Sequence, residues 1–454
     1  MADTLFFTRA LLPEGWAENV LLTCEGGMIR SVQRDASMPA GGVSGAVALP
    51  GLGSLHSHTF QRAMAGLAET RGPAADSFWS WRQVMYRFLG LLDPEDVEAI
   101  AAFAFMEMLE AGFTAVGEFH YLHHDRAGQP YADRAELAGR IVAAAGASGI
   151  GLTLLPVFYA HGGFGSAPPH EGQRRFLNDS GGFHRLMEGA RAAVETLHGA
   201  RLGIAPHSLR AVAPDELLAL IEAWPEGPVH IHIAEQMKEV EDCIAWSGRR
   251  PVEWLFDHVA VDSRWCLVHA THLNEAETRH LAGSGAVAGL CPITEANLGD
   301  GTFRLAEYMA QGGRFGVGTD SNVEISAPGE LRQLEYSQRL AHRARNVSAQ
   351  VEGESTGGAL YRAALAGGAQ ALAQPIAGLQ VGQNADIVCL AEDHPDLVAA
   401  SGDRHLDGYV FCAGRAAIDQ VYVRGKRLVE GGRHRDHAVL ASRYKQVIRK
   451  LAGR

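Results

Sequence analysis

The chain reads as an α/β protein, a (β/α)8 TIM-like barrel with a small β-sandwich domain built from both chain termini. Three observations predict this. Eight short apolar runs recur along the middle of the chain, each with a polar or histidine-bearing tip and then a stretch of helical periodicity. Both ends carry short alternating runs punctuated by turn signals instead. No repeat of about 20–50 residues and no low-complexity tract competes with that pattern.

The elements follow in order. Residues 1–47 hold LFFTRALL and ENVLLTCEGGMIRSVQ, the latter folded back at a Gly-Gly turn. The eight predicted strands are Ala48–Leu55, Thr114–Phe119, Gly151–Phe158, Leu202–Ala205, Val229–Ile233, Trp265–Val268, Ala286–Leu290 and Phe315–Gly318. Helical stretches separate them. Pro94–Ala111 is one, with Asp93 as its N-cap and Gly112 just past its end. From about residue 376 the alternating pattern returns in ADIVCL and IDQVYVRGKRLVEGG, where Arg-Gly-Lys reads as a hairpin turn. A helix over Ala438–Leu451 follows. The predicted division is therefore 1–47 with 376–454 as the β domain, and 48–375 as the barrel.

Composition narrows the function. Of 454 residues, 52 are acidic and 40 basic, a net charge of −12. General binding to nucleic acid or to anionic membranes is not expected of so acidic a chain. No apolar run approaches the ~20 residues of a membrane span. MADTLFFTRALLPEGW lacks a basic segment followed by a long apolar one, so no signal peptide is expected. Six cysteines without a CxxC read as reduced thiols of a cytoplasmic protein. The 21 histidines are the excess that prompts a search for metal ligands.

The strand tips carry the chemistry. Strand one ends LHSHTF; His56 and His58 are two apart, so both imidazoles share a face and reach one ion. Alone, HxH is a weak signal. Strand five ends HIHIAE, with His232 nearer the tip than His230 and Glu235 three beyond. His232 is taken as the third ligand, because barrel sites form at C-terminal strand ends, and His230 as a packed residue. Strand six ends LVHATHL, with His269 at the tip and His272 in the following loop as a structural residue. Strand eight ends GVGTDSN, and Asp320 follows a glycine-rich strand that lets the backbone come close. An isolated Asp there would read as a helix N-cap; convergence of all five on one barrel mouth reads as a metal site. Three imidazoles and a carboxylate, His56, His58, His232 and Asp320, suit Zn²⁺ or another borderline divalent ion. An open position for water makes such a site hydrolytic.

These pieces resemble the amidohydrolase superfamily in its mononuclear, cytosine-deaminase-like branch. LPGLGSLHSH, HIHIAE, LVHATHL, GVGTDSN and the C-terminal GLQVGQNADIVCL carry the resemblance over nearly the full length. Dinuclear members have a bridging Lys or Glu at the end of strand four. IAPHSLR stands there instead, without a lysine, which favours one metal. HSHTFQRAMAGL, DSFWSWRQVMYRF, EFHYLHHD and APHSLRAV, followed by HIHIAEQ, resemble more closely the formimidoylglutamate deiminases, which hydrolyse N-formimino-L-glutamate to N-formyl-L-glutamate and ammonia in histidine degradation.

That resemblance implies a small dicarboxylate substrate and a homodimer. It places Arg210 and Arg82 on the two carboxylates, where bidentate guanidinium donors are wanted. Arg82 stands among Phe78, Trp79, Trp81 and Tyr86, where an unpaired charge is costly to bury. Gln61, Tyr121 and His207 are implied substrate contacts. His120, His123 and His124 are read as scaffold. In the implied reaction Asp320 is ligand and base, His269 holds the attacking oxygen, and Glu235 carries protons to the imino nitrogen. Whether His269 is itself a ligand stays open at this stage. The rival readings are an imidazolonepropionase or a purine or triazine deaminase on the same barrel, and a non-enzymatic homologue. The Gly-rich stretch His161–Pro169 is a candidate closing loop.

Overall fold

A computed structural model describes residues 3–71 and 78–453, apart from the side chain of Phe78. Asp76, Ser77 and the Phe78 side chain of the DSFWSW motif therefore lie outside the described residues.

The strands, in order, are β1 (Asp3–Leu12), β2 (Gly15–Glu25), β3 (Met28–Gln33), β4 (Gly45–Pro50), β5 (Leu52–Ser57), β6 (Phe113–His120), β7 (Gly151–Phe158), β8 (Arg201–Leu202), β9 (Ala205–Pro206), β10 (Val229–Ile233), β11 (Trp265–His269), β12 (Val287–Leu290), β13 (Arg314–Val317), β14 (Ile387–Leu390), β15 (Ile418–Val423), β16 (Lys426–Glu430) and β17 (Arg433–His434).

Both chain ends meet in one eight-stranded sheet, ordered β17-β16-β15-β14-β4-β1-β2-β3. The predicted turns are present. Gly26 and Gly27 both take positive φ between β2 and β3, and so do Arg424 and Gly425 between β15 and β16, as tight hairpins with right-handed strand twist require. One prediction is corrected here. The strand expected over Ala48–Leu55 is two strands. β4 pairs with β1 and β14 in the terminal sheet, and β5 pairs with β6 in a parallel one. The chain passes between the two at Gly51, where a Cβ would lie 2.2 Å from the Thr114 side chain.

The parallel strands form two runs, β5-β6-β7-β8 with β9 beside β7, and β10-β11-β12-β13. Isolated parallel bridges link them at both seams: Ser57 to Asp320, and Ile204 to Val229 with Ser208 to His232. Small residues on the strands leave room for a plug from below. The helix Thr356–Leu372 brings Ala369, Ala371 and Leu372 into a buried cluster with Leu55, Ala115, Cys266, Val268 and Val287. A Cβ on Gly53 or Gly117 would come within 2.5 or 2.7 Å of Leu372. Thr153 Oγ1 donates to the Leu372 carbonyl at 2.7 Å and ties the helix end to β7.

The predicted helix near residue 94 spans Pro94–Glu110. The Asp93 backbone N–H donates to Asp96 Oδ2 at 3.0 Å, one of the orphan donors of a helix start, and Gly112 beyond the end has φ +95°. No described helix is long and apolar enough to cross a membrane.

Candidate metal centre and active site

At the C-terminal ends of the parallel strands, His56 and His58 leave β5, His232 lies on β10, and Asp320 follows β13. One ligand atom from each of these four buried residues lies within 4.8 Å of every other. His56 Nε2 is 3.1 Å from His58 Nε2 and 3.0 Å from His232 Nε2. Asp320 Oδ1 is 3.5 Å from His56 Nε2 and 3.3 Å from His58 Nε2.

Proton accounting shows what these atoms want. His58 Nδ1 donates to the Phe119 carbonyl at 2.9 Å, and His232 Nδ1 to the His207 carbonyl at 3.2 Å. A carbonyl only accepts, so both neutral rings present bare Nε2 lone pairs to the cluster. Asp320 adds only acceptors. His56 Nε2 offers at most one proton to the whole group. Burial keeps the rings neutral, pushing His56 down to about 3, His58 down, and His232 well down with help from neighbouring imidazoles. Burial works the other way on Asp320, but the hydrogen bond to His56 and the nearby imidazoles outweigh it. The carboxyl is held below the ordinary range. Converging lone pairs with almost no protons fit a divalent cation, and N–N separations near 3 Å fit bonds of about 2 Å to a common centre.

The backbone is strained at these tips. Ala234, His269 and Asp320, none of them glycine, have φ of +50°, +67° and +43°, each costing on the order of 1 kcal/mol or more. Gly318 supplies the close approach expected of strand eight: a Cβ there would stand 2.8 Å from His56 N and O.

His269 stands outside the group of four, as the hub of a second set. Its Nε2 lies 3.9 Å from Asp320 Oδ2 and 3.8 Å from Glu235 Oε1, and its Nδ1 lies 3.3 Å from Glu295 Oε1. Burial lowers this imidazole, but the Glu235, Glu295 and Asp320 carboxylates outweigh it and hold it up at about 10. Asp320 thus divides its oxygens, Oδ1 toward the His56 and His58 nitrogens and Oδ2 toward His269. Burial pushes Glu235 above the ordinary carboxyl range, although His269 and Arg210 pull it down.

The remaining predicted residues line one cavity, shared with His58, His232, His269 and Asp320. Gln61, Arg82, Tyr121, His207, Arg210 and Glu235 all face it. His56 sits fully buried beside the other three of the group. Gln61 is no surface glutamine: its Nε2 donates to Tyr121 Oη at 2.9 Å, and its Oε1 is buried without a partner among the described residues. Arg82 Nη2 donates to Tyr159 Oη at 2.8 Å, and its guanidinium lies over the Trp79 and Tyr86 rings. Among the described residues Arg210 Nη2 reaches Glu235 and Glu239 only at 3.7 and 3.9 Å, and its Nε has no partner. Burial and the two arginines push His207 well down.

Three of the residues read as scaffold or packed meet backbone carbonyls. His230 Nε2 donates to the Ala371 carbonyl, His123 Nε2 to that of Val157 and His124 Nε2 to that of Leu177. Gly162, Gly163 and Phe164 of the Gly-rich stretch line an outer cavity, where Phe164 stacks on Trp246. Three residues escaped the sequence reading. Glu295 holds His269. Glu239 accepts from the Ala234 and Glu235 backbone N–H groups at 3.1 and 3.2 Å and so fixes the β10 tip. Tyr159, just past β7, joins Arg82.

The amidohydrolase family model matches residues 47–428, which include every residue of this centre. The chain belongs to the amidohydrolase family. A second model, the formimidoylglutamate deiminase HutF N-terminal domain, matches residues 3–44. A formimidoylglutamate deiminase from Pseudomonas aeruginosa is 52% identical over 451 residues, 99% of each chain, which places this amidohydrolase in that group. A 5-methylthioadenosine/S-adenosylhomocysteine deaminase from Shouchella clausii is 27% identical over 84% of this chain and 81% of its own. Among solved structures, an amidohydrolase from Brucella melitensis superposes with a TM-score of 0.96 at 56% identity, covering 99% of this chain and 100% of its own. A zinc-bound adenosine deaminase from Xanthomonas campestris shares the fold, with a TM-score of 0.80 at 21% identity over 99% and 98%.

Proposed function

We infer that this amidohydrolase hydrolyses the formimino group of N-formimino-L-glutamate, yielding N-formyl-L-glutamate and ammonia, in the breakdown of histidine. The observation that carries the reading is the full-length likeness to a formimidoylglutamate deiminase, 52% identical over 99% of both chains. The cavity suits it: two guanidinium groups, Arg82 and Arg210, face the same space as the metal-binding group, as a dianion requires.

His56, His58, His232 and Asp320 hold one divalent ion. Three imidazole nitrogens and one carboxylate oxygen are a borderline donor set, for which Zn²⁺ is the natural occupant. When bound, the ion supplies Lewis acidity, acidifying a water and polarising the substrate. Arg82 and Arg210 grip the two carboxylates, and Gln61, Tyr121 and His207 orient the formimino end. Asp320 Oδ2 takes a proton from the attacking water. His269 hydrogen-bonds the attacking oxygen and stabilises the charge that grows on it. Glu235, whose carboxyl burial pushes above the ordinary range, delivers a proton to the imino nitrogen. The new C–O bond forms at the formimino carbon; the proton held on Asp320 then passes to the same nitrogen, the C–N bond to it breaks and ammonia leaves, while the hydroxyl proton of the intermediate returns to Glu235 as the formyl C=O forms. The amide nitrogen keeps its glutamate.

Architecture enters the same reading. The two parallel runs, bridged at both seams, make one (β/α)8 barrel, residues 48–375 in the proposed division, except that Ala48–Pro50 complete β4 of the terminal sheet and the barrel strands begin with β5. Residues 1–47 with 376–454 make a β-sandwich. Phe7 on β1 meets Tyr422 on β15 with ring centroids 6.4 Å apart, although β4 and β14 lie between them in the sheet; the sheet curls on itself. A homodimer in the cytoplasm completes the proposal, consistent with cysteines that are free and, apart from Cys412, buried. Product analysis by ¹³C NMR tests the reaction. Conversion of the formimino carbon to a formamide carbon supports it. An unchanged formimino signal with imidazolonepropionate or an aminated heterocycle consumed instead overturns it.

A further inference from the structure

Tyr159 makes no part of the scheme above, yet it faces the cavity with Arg82 and Arg210 and is only 3% exposed. Its hydrogen bonds are fully determined. Arg82 Nη2 donates to Tyr159 Oη at 2.8 Å, and a guanidinium has nothing but donors. Gln173 Nε2 meets the same oxygen at 2.6 Å. The orientation of that amide is fixed, because Gln173 Oε1 accepts from the His170 backbone N–H at 2.9 Å. The phenol oxygen therefore receives two N–H groups, and both its lone pairs are spent. Its own hydrogen must point elsewhere, and among the described residues no acceptor meets it. The His207 ring, 4.5 Å away centroid to centroid, holds the phenol plane.

We propose that Tyr159 is a specificity-determining residue: its hydroxyl donates to the substrate carboxylate that Arg82 grips, and Gln173 positions it to do so. The assignment rests on the substrate reading above and extends it. Two inbound N–H groups, one of them cationic, withdraw electron density from the oxygen and make its hydrogen a stronger donor. A carboxylate is the acceptor this arrangement selects; an uncharged amide or heterocycle gains less from it.

Two measurements test the proposal. Tyr159→Phe in the metal-loaded enzyme raises the KM for N-formimino-L-glutamate about tenfold or more, the worth of one hydrogen bond to a charged group, with kcat within about twofold. An unchanged KM, or a fall confined to kcat, overturns it. The second keeps the fold and the oxygen. 3-Fluorotyrosine placed at position 159 is a better donor and a poorer acceptor, and glutarate, a plain dicarboxylate, is titrated calorimetrically. Donation to a carboxylate makes glutarate bind severalfold tighter to the fluorinated protein. A hydroxyl that only anchors Arg82 makes it bind more weakly, which overturns the proposal, as does glutarate that binds neither form. Tighter glutarate binding without turnover of N-formimino-L-glutamate sinks the substrate reading and leaves this contact standing.

Discussion

Removing Arg210 should damage recognition far more than folding. Among the described residues its guanidinium is largely spared for a ligand: the nearest carboxylate oxygens stand 3.7 and 3.9 Å away, beyond hydrogen-bond reach, and Nε has no partner. A bidentate grip on a carboxylate supplies two charge-assisted bonds of about 1.5–3 kcal/mol each. Some of that is offset, because Arg210 already attracts Glu235 and Glu239 before substrate arrives. A net loss of about 3–4 kcal/mol remains for Arg210→Ala, or roughly 10²–10³-fold in kcat/KM. Most of it should appear in KM. Arg210→Lys keeps the charge without the fork and should regain about tenfold. Initial rates of ammonia release across a substrate series give both constants, and thermal melting confirms that Tm moves by less than about 2 °C. A loss under about fivefold, or one matched by collapse of the melting transition, refutes the reasoning.

Glu295→Gln removes the carboxylate at His269 Nδ1, one of the three around that ring, so kcat should fall about 10–100-fold with little change in KM; steady-state kinetics that show only a raised KM would contradict this. Gly318→Ala drives a methyl to within 2.8 Å of the His56 backbone and should lower metal content measured by elemental analysis; a fully loaded, fully active variant would refute the close-packing account. Asp386 tests linkage away from the site. Burial pushes its carboxyl up to about 6 from 3.8, despite the Arg424 backbone N–H it accepts at 2.8 Å. A folded-state value above the unfolded one means the native protein binds more protons between the two, so this group costs stability as pH rises from about 4 to 6. Asp386→Asn keeps the acceptor and should exceed wild type by about 3 kcal/mol above pH 6, the gap closing toward pH 4; denaturant melts showing a constant difference would exclude it.

The site was legible where residue type and strand tip coincide. Histidines and an aspartate at the ends of apolar runs announce convergence, and His56, His58, His232 and Asp320 do converge. The residues that act through others left no such mark. Glu295 sits in the first turn of the helix Pro292–Leu298, where an acidic residue is ordinary helix chemistry. Glu239 likewise lies in the first turn of Met237–Ser247, and only three-dimensional contact shows it clamping the Glu235 backbone. The split of Ala48–Leu55 was readable in principle. Pro50-Gly51 is a turn dipeptide inside an apolar run, and the run continues on both sides because each strand is buried in its own sheet. Periodicity cannot separate two buried strands placed end to end. Tyr159 is hidden for another reason: its significance lies in the partners of its oxygen, Arg82 on the helix Phe78–Leu89 and Gln173 at the end of the 3-10 turn Glu171–Gln173, which only the fold brings together.

The central claim is a metal-dependent release of ammonia from N-formimino-L-glutamate. Ammonia formation by the chelated protein, measured as divalent zinc is added back stepwise, tests it most directly. Activity should be near zero without metal and rise linearly to a plateau at one equivalent per chain, with one N-formyl-L-glutamate formed per ammonia. Full activity after complete removal of metal, or no ammonia at full occupancy, would contradict the account.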